Sequence, residues 1–151
     1  MATTFTVRVE LHGVTGEGGV YDELHGVMFD HDYLRTWMDQ KGKLWLLPHA
    51  EYVGATTDRV EQLVALVRGW VSAETNHAGG VGVAITEWGR FDAGGLKPAP
   101  IYHRQAGSIP GHAHCQAKAT VNNRVLKDRK SAEADRRVKG GALCPACFPR
   151  P

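Results

Sequence analysis

An α+β fold is predicted by three features of the 151-residue sequence: an opening segment of period two, a later segment of helical period, and their alternation along the first two thirds. Residues 4–11 alternate Phe5, Val7, Val9 and Leu11 with Thr4, Thr6, Arg8 and Glu10, the pattern of a half-buried strand. The glycines of 13–19 form a loop; they lack the Gly-x-Gly-x-x-Gly order and a Walker lysine, so the segment reads as a connection and not a phosphate cradle. Val20, Leu24, Val27 and Met28 then place one apolar stripe on a helix. Residues 34–40 and 43–47 read as a hairpin turned at Lys41-Gly42. Asp58 offers an N-cap and Glu61 a capping box for the helix carrying Val60, Leu63, Val64, Val67, Trp70 and Val71. Residues 81–86 add a last alternating strand. The order β-α-β-β-α-β is the ferredoxin-like split βαβ arrangement, in which two helices cover one face of a four-stranded antiparallel sheet.

The formal charge of +2 conceals a division between two units. Residues 1–96 carry seven Lys/Arg against thirteen Asp/Glu, whereas 97–151 carry eleven against three. The expected domains are therefore an acidic α+β body over 1–96 and a small basic segment over 97–151. Asp92-Ala-Gly-Gly-Leu-Lys-Pro-Ala-Pro100 marks the seam with helix- and sheet-breaking residues. No apolar run approaches the ~18 residues of a transmembrane helix, and the alternation of 4–11 is not that of a signal peptide. With an odd number of cysteines, a reducing compartment with a bound metal is expected over a disulfide framework, and hence a cytoplasmic location.

All three cysteines fall in the last 37 residues, as Cys115 and the knuckle Cys144-Pro-Ala-Cys147. Two thiolates on one tight turn suit adjacent vertices of a tetrahedral Zn²⁺ site. A redox Cys-x-x-Cys normally opens a helix after a strand, and this one lies among prolines. Cys115 supplies a third sulfur, and a histidine completes the set. His112 is favoured because His112-Ala-His-Cys115 repeats the knuckle spacing; His103 could reach back across a hairpin, and His114 would point the other way. Four protein ligands leave no open position, so the zinc is expected to be structural.

Between the knuckles lie eight cations, Lys118, Arg124, Lys127, Arg129, Lys130, Arg136, Arg137 and Lys139, enough to neutralise several phosphates of RNA or DNA. The stretch holds no aromatic residue on which bases could stack, which argues against base-specific reading. Glu10, His12, Asp22, Glu23 and His25 could meet near the end of the first strand as an acid-base group, although ordinary surface charge explains them more simply. Asp30-His-Asp32 reads as an exposed turn. Trp37 and Trp45, on neighbouring strands, fill the core or sheet surface, or else form the face of a homodimer or protein-partner site.

Phe5-Thr-Val-Arg-Val-Glu-Leu-His-Gly13, Tyr21-Asp-Glu-Leu-His25, Arg35-Thr36 and Leu47-Pro-His-Ala-Glu-Tyr52 together resemble a group of small bacterial and phage proteins. That group is distantly similar to the GhoS-type endoribonuclease antitoxins and, through them, to the ferredoxin-like nucleases of CRISPR systems. The resemblance, over residues 4–92, implies a ferredoxin-like fold and RNA as a ligand. Those nucleases place an aspartate at the end of the first strand, where this chain has Glu10 and His12, so metal-dependent cleavage is not expected. The cysteine segment lies outside the resemblance and is similar to short zinc-binding segments of actinobacterial and phage proteins. The leading expectation is a non-catalytic, phage-type zinc protein acting on nucleic acid or a nucleoprotein complex. The alternatives are an endoribonuclease using Glu10 and His12, and a protein-protein adaptor whose acidic body engages the partner.

Overall fold

The computed structural model describes residues 1–15, 18–89, 91–104, 123–126 and 128–149. Its first strand, β1 (Thr3–Leu11), is the centre of the main sheet and buries Phe5, Val7, Val9 and Leu11 on one face. Helix α1 (Val20–Asp30) brings Leu24 and Met28 onto that face. A two-stranded ribbon follows, β2 (Thr36–Met38) with β3 (Leu44–Leu46), in which Trp37 pairs with Trp45. Next come β4 (Glu51–Thr56), helix α2 (Val60–Glu74) and β5 (Val81–Glu87). The main sheet has the order β4-β1-β5 and is antiparallel throughout. Leu63, Val67 and Val71 of α2 join α1 on the same side, so one core lies between both helices and the sheet.

The α+β class and the elements expected over 4–11, 20–28, 60–71 and 81–86 are therefore present. Two details differ. The hairpin expected over 34–47 stands beside the main sheet as a ribbon, touching it through the antiparallel bridge Leu34–Val53. The strand that pairs with β1 is β4, whose alternation is broken by Gly54. The glycine is needed there, because a Cβ would lie 2.5 Å from the ring of buried Tyr33. The N-cap of α2 is also Arg59, one residue later than the expected Asp58. Thr56 Oγ1 donates to Asp58 Oδ2 at 2.8 Å, holding that carboxylate in the turn, and Gln62 Oε1 accepts from the Arg59 amide at 3.1 Å.

The C-terminal third contains β6 (Ile101–Arg104), β7 (Asn123–Leu126), α3 (Arg129–Lys139) and β8 (Ala142–Leu143). Its sheet is parallel, in the order β7-β6-β8. Asp128 caps α3 by accepting from the Ser131 amide at 2.8 Å, and the cations Arg136, Arg137 and Lys139 in the last turn complement the helix dipole. Tyr102, Ala132, Cys147 and Phe148 form a small second core. Helix α3 lies along α1, where Arg137 forks onto the Asp30 carboxylate with an Nε–Oδ1 distance of 2.9 Å. Gly26 makes room for that guanidinium. Asp30-His-Asp32 is thus more than an exposed turn: His31 stacks on Trp70 at 4.0 Å and meets Glu74 at 2.8 Å. Among the described residues no helix is long and apolar enough to cross a membrane.

Candidate metal centre

β6 is the central strand of the parallel sheet, and its register places Tyr102 beside Leu143 of β8. The chain leaving β8 therefore passes directly over the end of β6. The Cys144 amide donates to the Tyr102 carbonyl at 2.8 Å, and the Phe148 amide closes the Cys144-Pro-Ala-Cys147 turn onto the Cys144 carbonyl at 2.9 Å. Buried Phe148 and Cys147 anchor this knuckle in the second core. Both cysteines are thiols and not a disulfide.

His103 joins them from the strand. The ligating atoms of His103, Cys144 and Cys147 all lie within 4.8 Å of one another, so the three can hold a metal ion. His103 Nδ1 sits 3.8 Å from Cys147 Sγ. Tetrahedral ligation with Zn–S near 2.3 Å and Zn–N near 2.0 Å requires S···N separations of roughly 3.5–3.8 Å, which this spacing matches. The other ring nitrogen, Nε2, lies 3.0 Å from Asn123 Oδ1. An amide oxygen can only accept, so the proton sits on Nε2 and the Nδ1 lone pair is directed at the sulfur side. A metal-binding imidazole is commonly fixed by such a partner. Cys147 and His103 are buried and Cys144 is half-buried, which suits a closed structural site.

Of the residues anticipated as ligands, the structure brings together Cys144, Cys147 and His103. His112, the favoured histidine, lies outside the described residues, as do His114 and Cys115. Asn123 had no signal in the sequence. Its role follows from the β6–β7 pairing, which places it opposite Ile101, two positions from His103.

The basic residues divide into distinct groups. Lys118 and Lys127 lie outside the described residues. Arg124 and Lys139 share the Asp135 carboxylate at 3.2 and 2.8 Å. Arg129 pairs with Glu133 at 3.5 Å and sits over the Phe148 ring. Arg136 covers Phe29 of α1 and donates to the Gly141 carbonyl, and Arg137 holds Asp30. Arg136 and Arg137 thus dock α3 onto the body, while Lys130 and Lys139 face solvent.

The acid-base group assembles only in part, with Glu10 and His12 side by side next to Gly82 and His25 and Glu23 engaged elsewhere. Glu10 and His12 are exposed, and Glu10 lies on the face of β1 opposite the core. His25 is buried with Tyr52, and Glu23 binds Asn76. Trp45 donates to Asp39, while Trp37 and Trp88 pack on Phe91. Comparisons with protein-family models, curated proteins and solved structures find no match for this chain.

Proposed function

We propose that this chain is a non-catalytic zinc protein that binds nucleic acid through its basic C-terminal third. The convergence of His103, Cys144 and Cys147 carries the reading, because it joins β6 to the segment after β8, over a small core that the basic helix α3 shares through Ala132. Zn²⁺ suits the mixed thiolate–imidazole donor set, with Cys115 as the proposed fourth ligand. A ferredoxin-like body is supported by the antiparallel order β4-β1-β5, by both helices on one face, and by Leu34 at the position of the fourth strand. The burial of His25 against Tyr52, away from exposed Glu10 and His12, favours binding over cleavage.

Many cations on this surface already face carboxylates. Exposed pairs of that kind are worth only about 0–1 kcal/mol, so exchanging a carboxylate for a phosphate costs little, and counterion release favours the exchange. Fluorescence anisotropy with labelled single-stranded RNA and duplex DNA, between about 50 and 200 mM salt, tests this. Affinity should fall steeply with salt, depend little on sequence, and drop at least tenfold when Lys118, Lys127 and Lys130 are replaced together by glutamate. Absence of binding, or binding without a salt slope, overturns the reading.

A further inference from the structure

A cleft of about 480 Å³ opens where the acidic body meets the C-terminal third. Its cationic walls come from both sides of the seam and from the seam itself: Arg35 and His49 from the body, Lys97 from the connection, and Arg124 and Lys139 from the C-terminal third. Lys97 lies in the Gly/Pro-rich connection, held at its backbone where the Lys97 carbonyl accepts from the Leu46 amide at 2.8 Å. Arg35 is braced across the same seam by donating to the Val138 carbonyl at 2.7 Å. Asp135 pairs with both Arg124 and Lys139. Arg35, Lys97, Arg124 and Lys139 thus bring four permanent cations to one concave site, and Arg35 does so from the half of the chain that is acidic overall. Such a cavity focuses potential and attracts anions. Arg35 and Arg124 add planar donors suited to phosphate oxygens.

We infer that this seam cleft is a phosphate-binding site, and that it seats a backbone phosphate of the bound nucleic-acid strand. The inference rests on the nucleic-acid reading for its source of phosphate. The chemistry itself, a phosphate ester held by Arg35, Lys97, Arg124 and Lys139 with His49 at the rim, is equally that of a mononucleotide.

Lys97 and His49 are exposed and lie outside the metal group, so their replacement tests the cleft without disturbing the zinc ligands. The full-length zinc-loaded protein, Lys97→Glu, Lys97→Gln and His49→Ala would be titrated with a labelled oligonucleotide, with a mononucleotide and with inorganic phosphate. Thermal melts would show that each variant folds. Lys97→Glu should weaken oligonucleotide binding about tenfold or more and reduce the salt slope by about one, with Lys97→Gln intermediate. Oligonucleotide binding by Lys97→Glu equal to that of the unaltered protein overturns the cleft and leaves the nucleic-acid reading standing. Lys97-dependent binding of mononucleotide or phosphate without oligonucleotide binding upholds the phosphate site and removes its nucleic-acid source. Failure to bind any of the three overturns both.

Discussion

His25 is 3% exposed, and its Nδ1 lies 2.7 Å from the hydroxyl of fully buried Tyr52. Burial pushes the Tyr52 phenol well above its ordinary range, so it keeps its proton and donates to the imidazole. Burial is also the main reason the His25 pKa falls to about 3, with Arg35 and His49 adding positive charge nearby. The folded value lies below the unfolded one, so protonation favours the unfolded chain. The stability held by neutral His25 is complete above pH 6.5 and is lost as pH falls from there toward 3. The maximum slope is about 1.4 kcal/mol per pH unit. Between about pH 6.5 and 4.5, above most carboxylate titrations, unfolding free energy should drop by roughly 2–3 kcal/mol. His25→Gln, which retains an acceptor for Tyr52 but cannot titrate, should flatten that limb in denaturant melts. An unchanged limb would place the acid sensitivity elsewhere.

At the scale of elements, the interior of β4 depends on one missing side chain. Tyr33 lies flat over Gly54, and the nearest ring atoms are Cδ1, Cε1 and Cγ, the body of a buried ring and not a flexible tip. Gly54→Ala should therefore cost about 1–3 kcal/mol, the usual effect of overpacking a core. Gly26→Ala meets only the mobile end of Arg137, and its gain in helix propensity offsets the surface pair it displaces. Chemical denaturation of both variants should show a large loss for Gly54→Ala and almost none for Gly26→Ala; equal losses would contradict this packing. The same glycine explains why β4 was hard to read in the sequence. The alternation of β1 and the helical spacing of α2 are local signals, strong because one face of each is buried by the rest of the fold. β4 lies between Pro48 and the Thr56–Asp58 turn, with Gly54 in its interior, and is a strand because β1 and Leu34 lie on either side of it. The Arg137–Asp30 contact joins residues 107 apart and leaves no local pattern at all.

For the whole molecule, the metal group is the feature that joins distant sequence to a single point. The Cys144–Cys147 knuckle was legible from spacing alone, whereas the approach of His103 to it was not, because it depends on parallel pairing of β6 with β8 across some forty residues. The second core, built on Tyr102, Ala132, Cys147 and Phe148, is small, and small units commonly need a metal or disulfide to hold their fold. Docking of α3 on α1 adds the half-exposed Arg137–Asp30 fork, a type of pair worth at most about 1 kcal/mol. The Zn²⁺ we propose for the His103, Cys144 and Cys147 group, on the order of 10 kcal/mol in small metal domains, would exceed that contact by a wide margin and so decide whether the C-terminal third is ordered. The purified chain should contain one Zn²⁺ per molecule by elemental analysis. Chelation, Cys144→Ser or Cys147→Ser should expose the C-terminal third to limited proteolysis while the β4-β1-β5 body stays resistant, since its core shares no residue with the metal group. Because Arg124 and Lys139 come from the released part, the same treatments should abolish phosphate binding in the seam cleft. Protein prepared without chelator that carries no zinc, or a C-terminal third equally protected after Cys147→Ser, would show that packing alone holds the site together.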